Sequence, residues 1–153
     1  MQKSKNAFTV IEMVFVIVVL GILAAVAIPR FAATRTDAEI TKGRADIASI
    51  RSAIVSERQA RLIVGCPSYI PNGTGTYTCN SQTYKQLDNG GLFGGVLMYP
   101  EVNKVANGNW SATAGSGTYQ FRVQNTNTQF SYDPTDGTFT CTAGSNFCDD
   151  LVN

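Results

Sequence analysis

Apolar residues run from Phe8 to Ile28 with Thr9 and Glu12 as the polar interruptions. Counted from Ala7 as a helix, this stretch is about 33 Å long, against a bilayer hydrocarbon thickness of about 30 Å, so it can span a membrane. From Thr36 the pattern changes. Ile40, Ile47, Ile50 and Ile54 recur at heptad-like intervals, with Gly43 and Arg61 in the remaining slots, which predicts an amphipathic helix with a narrow apolar stripe. Glu57 and Arg61 form an i,i+4 pair expected on its surface, and Gly65 ahead of Pro67 marks its end. A continuous helix from Phe8 to that point would be on the order of 80 Å long, too long to bury itself in the roughly 90 residues that follow. Its first half therefore needs a membrane or neighbouring molecules, and its second half is expected to pack under a head. A coiled-coil dimer is the alternative for the stripe.

Beyond Gly65 the texture becomes Gly, Asn, Thr and Ser with scattered aromatics, which predicts short strands and long loops. Tyr119, Phe121 and Val123 alternate with polar neighbours, as do Phe130 with Tyr132 and Phe139 with Cys141. These read as three half-buried strands in consecutive antiparallel hairpins. Residues 125–128 form the first expected connection, and the Asp133-Pro134-Thr135-Asp136-Gly137 turn forms the second. Residues 96–99 are a further candidate edge strand, and Gly90, Gly91, Gly94 and Gly95 suggest a flexible loop around Leu92 and Phe93. The fold class is α+β: a long N-terminal helix on a small antiparallel head.

The net charge of +1 conceals an asymmetry: from Gly65 onward Lys85, Lys104 and Arg122 face Asp88, Glu101, Asp133, Asp136, Asp149 and Asp150. A head with so little basic surface is not expected to bind nucleic acid directly. The chain has no histidine, which removes His-based nucleophile activation, His general bases and His-containing zinc sites. No phosphate-loop spacing is present either, so neither an enzyme nor a cofactor or metal protein is expected. Asp133 and Asp136 read as a solvated turn in preference to a calcium loop. Cys66, Cys79, Cys141 and Cys148 all follow the anchor, as suits a domain exported to an oxidising compartment. Of three connectivities, the expected one pairs Cys66 with Cys79 and Cys141 with Cys148, each closing a local loop. Trp110 reads equally as an exposed contact residue and as a local plug.

An ordinary secretory signal, with Lys3 and Lys5 before the apolar run and Ala25-Val26-Ala27 as its cleavage site, is the rival account of the N-terminus. Glu12 argues against it, because a carboxylate in an inserting segment costs roughly 2.5–3.5 kcal/mol. So does the helical pattern that continues past Ile28. The run Ala7-Phe8-Thr9-Val10-Ile11-Glu12, continued through Gly21 to Ile28-Pro29, resembles the cleavage and methylation motif of the type IV pilin and type II secretion pseudopilin family. That resemblance implies a pilin-like fold in which residues 1–7 are a leader, 8–29 the transmembrane and assembly half of the helix, 30–64 its amphipathic half and 65–153 a periplasmic or extracellular head. It implies a prepilin peptidase that cuts between Ala7 and Phe8 and N-methylates Phe8. The family usually has Gly where this chain has Ala7; a small residue is kept, so cleavage is expected.

Thr9 and Glu12 are then assembly residues, Glu12 neutralising the new ammonium of a neighbouring subunit, and Gly21 and Pro29 are points of helix flexibility. The implied partners are copies of this chain or related pilins in a helical filament, the peptidase and an inner-membrane assembly platform. The implied location is the bacterial inner membrane, single-pass with the head in the periplasm, followed by a periplasmic pseudopilus or a cell-surface pilus. The other functional reading is a membrane-anchored periplasmic binding module that does not polymerise.

Overall fold

A computed structural model of the chain describes residues 8–152, with side chains described outside 28–34. The elements run α1 (Val10–Ile63), β1 (Thr76–Cys79), β2 (Gln82–Lys85), β3 (Trp110–Ala112), β4 (Thr118–Val123), β5 (Thr126–Asp133), β6 (Thr138–Cys141) and α2 (Cys148–Val152). The architecture is α+β and pilin-like, with two disulfides. Two compact units divide it, Met1–Asp37 and Ala38–Asn153, so the part of α1 from Ala38 onward belongs to the head.

From Val10 to Ala27 the first unit is helix with its apolar side chains outward. Val10, Ile11, Met13, Phe15, Ile17 and Leu20 are all more than half exposed. Every position along this stretch is apolar except Glu12, so the helix has no solvated face and no amphipathic stripe.

In the second unit α1 does show a stripe. Ile47, Ile50 and Ile54 are buried against the inward faces of the strands: Trp110 of β3, Tyr119, Phe121 and Val123 of β4, Phe130 and Tyr132 of β5, and Phe139 of β6. Gly43 fits the same stripe by lacking a side chain, since a Cβ there would lie 2.6 Å from both Phe121 and Leu151. Arg61, expected on the surface, is instead 1% exposed. It keeps its ion pair to Glu57 at 3.5 Å and donates to the Tyr77 hydroxyl, which lets its charge lie under the β1–β2 hairpin. The helix ends in a Schellman turn: Cys66 N–H bonds Arg61 O, Gly65 N–H bonds Leu62 O, and Gly65 takes φ 81°.

The main sheet is antiparallel in the order β3-β4-β5-β6. Strand β5 alternates buried Thr128, Phe130 and Tyr132 with exposed neighbours, the period of two that makes a half-buried sheet legible. The connection between β4 and β5 is shorter than expected. Gln124 and Asn125 make a two-residue turn with φ 48° and 63°, and Asn127 and Thr128 already pair with Arg122 and Phe121. Positive φ at both central residues gives the twist that suits adjacent strands. A second such turn, at Asn80 and Ser81, joins β1 to β2 in a separate two-stranded sheet.

Residues 96–99 do not form the edge strand their apolar run suggests. Val96 and Leu97 N–H groups bond back to Phe93 O in a turn, and the edge strand is β3. The glycines before them close that turn tightly, because a Cβ on Gly94 or Gly95 would collide with the carbonyl oxygens of Asn89 and Gln86. The loop thereby drives Leu92 and Phe93 into the core. Phe93 sits edge-on to Trp110 and Phe139 at 5.7 and 5.5 Å.

The β3 edge of the main sheet is covered, and a single side-chain bond reaches the β6 edge. Outside β3, Asn103 donates to Ala112 O at 2.7 Å and accepts from Ala112 N–H at 3.2 Å, while Lys104 N–H bonds Trp110 O. Along β6, Arg51 of α1 donates to Phe139 O at 3.0 Å. Covering of this kind suppresses edge-to-edge pairing between sheets.

Candidate functional site

The first turn of α1 is organised by Thr9. Its carbonyl accepts from the N–H groups of Glu12 and Met13 at 3.1 and 3.2 Å, and its Oγ1 accepts from Glu12 N–H at 3.4 Å. Thr9 is therefore the N-cap, and Thr9-Val10-Ile11-Glu12 has the spacing of a capping box. The sequence reading gave Thr9 to assembly and missed this local duty, although Thr-x-x-Glu before an apolar run is a recognisable signal. Glu12 lies in the first turn, where the positive end of the helix dipole favours a carboxylate by about 0.3–1 kcal/mol at exposed sites. Its carboxylate has no ion pair among the described residues, and Phe8 is 74% exposed.

From Val10 to Ala27 the helix is long and apolar enough to cross a membrane, and none of that window is buried. The structure brings Thr9 and Glu12 together and leaves Gly21 separate, about two and a half turns further along the same helix. A side chain added at Gly21 would meet nothing within 4 Å. The helix is continuous through both Gly21 and Pro29. The side chain of Pro29 lies outside the described residues, as do Ala7 and the whole leader.

The head contains a polar centre that sequence reasoning did not single out. Asp88 is 2% exposed. Its carboxylate accepts from the Tyr119 hydroxyl at 3.0 Å, from Phe93 N–H at 3.0 Å and from Gly115 N–H at 2.7 Å. One acid thus fastens the glycine-rich loop, the turn before β4 and β4 itself. Burial, followed by the charge of Asp88, pushes the Tyr119 phenol far above its ordinary value. Tyr132, whose hydroxyl donates to Ile70 O at 2.9 Å, is also raised, chiefly by burial. Tyr119 is satisfied by Asp88 and Tyr132 by the Ile70 carbonyl, so both phenols are tied into the packing of the head.

Trp110 is fully buried, and its indole N–H donates to Asp46 of α1 at 3.2 Å, so it is a plug and not an exposed contact. Asp133 and Asp136 each serve their own turn: Asp133 accepts from the N–H and hydroxyl of Thr135, and Asp136 from those of Thr138. Those Thr135 bonds hold the Asp133 carboxyl below its usual range. Among the described residues no three His, Cys, Asp or Glu side chains are gathered in a way that could hold a metal ion. Cys66 is bonded to Cys79, fixing the end of α1 to the hairpin, and Cys141 to Cys148, fixing β6 to α2.

Residues 2–28 match the family described as the prokaryotic N-terminal methylation motif. Over 85 residues, 55% of this chain and 72% of the relative, the sequence is 39% identical to the major component of the type IV narrow pilus of Thermus thermophilus. Over 53 residues it is 36% identical to core protein G of the type II secretion system of Pseudomonas aeruginosa, covering 35% of this chain and 37% of that protein. No solved structure matches the chain.

Proposed function

The chain belongs to the type IV pilin and type II secretion pseudopilin family, and on that premise we propose how its parts serve a structural filament subunit. The observation that carries the reading is the window Val10–Ala27, apolar throughout except for Glu12 and wholly unburied within its own chain. Such a surface is stable only in lipid or against similar helices.

In this proposal a prepilin peptidase removes residues 1–7 and methylates the new N-terminus at Phe8. The 8–29 segment holds the subunit in the bacterial inner membrane, with the 65–153 region and its disulfides in the periplasm. An assembly platform then moves subunits out of the bilayer into a pilus or pseudopilus. Cutting before Phe8 creates an ammonium group four residues from Glu12. In staggered neighbours the Glu12 carboxylate of one subunit and the Phe8 ammonium of the next neutralise each other, which removes the cost of either charge in an apolar setting. Thr9 holds the helix start in the geometry this pairing needs, while Gly21 and Pro29 give the helix its capacity to bend or open as it packs. The head has structural work to do and no catalytic role.

The N-terminal mass of the mature protein tests the processing step: methylated Phe8 is expected, and a start at Ile28 would identify an ordinary signal peptide. Glu12→Ala tests the charge pairing. Processed subunits should accumulate while sheared filaments disappear, and undiminished filaments would rule the pairing out. Filaments containing this chain would also exclude the non-polymerising binding module.

A further inference from the structure

Glu101 ends the segment that follows the glycine-rich loop, and its backbone is fixed: its N–H bonds Leu92 O at 2.9 Å in an antiparallel bridge. Its side chain is not tied down. The carboxylate is partly buried and has no hydrogen bond or ion pair among the described residues. It lines a hollow of about 260 Å³ between α1 and residues 97–101, and Asp46 of α1 lines the same hollow.

The two carboxylates are unequally provided for. Asp46 accepts from the Trp110 indole at 3.2 Å and pairs with Lys42 at 3.4 Å, in both cases through Oδ2. Lys42 in turn donates to Gly108 O at 2.6 Å, so its ammonium is committed on the far side of Asp46 from Glu101. The charged groups that act on Glu101 are these two, both from α1; the 97–101 segment adds only Tyr99 to the hollow, and β3 has no ionisable side chain. An unpaired carboxylate drawn partly out of water beside a like charge favours its neutral form. Burial first, then the charge of Asp46, accordingly raise the Glu101 carboxyl above its usual range, with Lys42 opposing them.

We propose that Glu101 and Asp46 form an acid-closed latch between α1 and the 97–101 segment, two separate carboxylates at neutral pH and one hydrogen-bonded pair in mild acid. A proton from solvent adds to a Glu101 carboxylate oxygen, and the resulting O–H donates to Asp46 Oδ1, the oxygen that neither Trp110 nor Lys42 uses. The 97–101 segment is then held to α1 by its side chain as well as by the Leu92 bridge, so this side of the head stiffens as the medium acidifies. Because the folded-state value is the raised one, the latch contributes its stability in full below the unfolded value of about 4.3 and loses it as pH rises through the folded value.

The latch is a property of a single head and is tested without filaments, so its failure leaves the filament reading untouched. Thermal melts of the detergent-solubilised full chain give the first readout. Glu101→Gln, which supplies a neutral donor in place of the carboxylate, should raise the melting temperature by a few degrees at about pH 7.5 and leave it unchanged at about pH 4. In an Asp46→Asn background, which keeps an oxygen for Trp110, the gain at about pH 7.5 should shrink. A gain of the same size at both pH values, a loss at neutral pH, or a gain undiminished by Asp46→Asn would overturn the pairing. The second readout is the mobility of a nitroxide at the exposed position 98, introduced as Met98→Cys in a chain whose own cysteines are all in disulfides. Its mobility should fall between about pH 7.5 and pH 4 and be low at both when Glu101→Gln is added; mobility that ignores pH, or follows it equally in the Glu101→Gln chain, would overturn the latch.

Discussion

At the scale of single residues, the head depends on polar groups whose partners lie far away in sequence. Asp88 is the clearest, because three donors from two loops and a strand converge on it. Leaving a buried donor unsatisfied costs about 1–3 kcal/mol, so Asp88→Ala should lower head stability by at least about 3 kcal/mol in urea melts of the detergent-solubilised chain. Tyr119→Phe removes one donor and should cost less.

The buried phenols also predict alkaline sensitivity. Tyr119 and Tyr132 have folded-state pKa values above the ordinary value of about 10, so above that pH the unfolded chain loses protons that the folded chain retains. Their contribution to stability is full below about pH 10 and falls as pH rises beyond it. Thermal melting between about pH 8 and pH 11 should show the decline, with a shallower slope in Tyr119→Phe. None of this was visible in the sequence. Asp88 sits beside Asn89 and Gly90 in what reads as a turn, and Trp110 lies among Gly, Asn and Ser. Their burial follows from contacts that no local pattern encodes.

At the scale of elements, the sequence was most informative where a periodicity extended over several residues. The Ile47, Ile50, Ile54 stripe and the alternation in β4, β5 and β6 are each buried on the expected side. It was least informative for short pieces. Strands β1 and β2 have four residues each, carry few apolar side chains and depend on the Cys66–Cys79 bond and the Arg61–Tyr77 contact. Residues 96–99 have the composition of a strand but lie beside a turn that Gly94 and Gly95 close.

Gly43 shows two element-level effects in opposition. Replacing it by Ala improves helix propensity by about 0.8–1.0 kcal/mol. The new Cβ would meet Phe121 and Leu151 at 2.6 Å, and overpacking of this kind costs about 1–3 kcal/mol. Packing should win, so Gly43→Ala is expected to destabilise the head despite strengthening the helix, and a raised melting temperature would contradict that account. The N-terminal element was legible in both its length and its motif, and the Thr9-x-x-Glu12 spacing that carries its cap is itself a sequence signal, which the hydrogen bonds bear out.

At the scale of the whole molecule, a head built on one helix and a four-stranded sheet has limited burial to draw on, and its disulfides carry a correspondingly large share of its stability. The Cys66–Cys79 and Cys141–Cys148 bonds close loops with separations of 13 and 7 residues. Loss of either should cost about 2–4 kcal/mol. Cys66→Ser with Cys79→Ser should lower the denaturation midpoint and expose the β1–β2 hairpin to proteolysis before the main sheet; unchanged cleavage of the hairpin would count against the bond as its anchor. Membership of the filament family was readable from some thirty residues, whereas the burial of Arg61 and Asp88 was not, since it is a property of the folded head.

The polar bonds between α1 and the rest of the head have a mechanical consequence. Glu39 accepts from Gln124 N–H, Lys42 donates to Gly108 O, Asp46 accepts from Trp110 and Arg51 donates to Phe139 O, with Arg58 and Arg61 reaching Tyr69 and Tyr77. These attachments are distributed along more than twenty residues of one rod. A pull along the helix axis loads them side by side in shear, so they must yield together and cannot be peeled apart one after another. A subunit tethered through its helix in a fibre under tension would thus transmit force to its head through many fasteners at once, and the head would resist being drawn off its own stem.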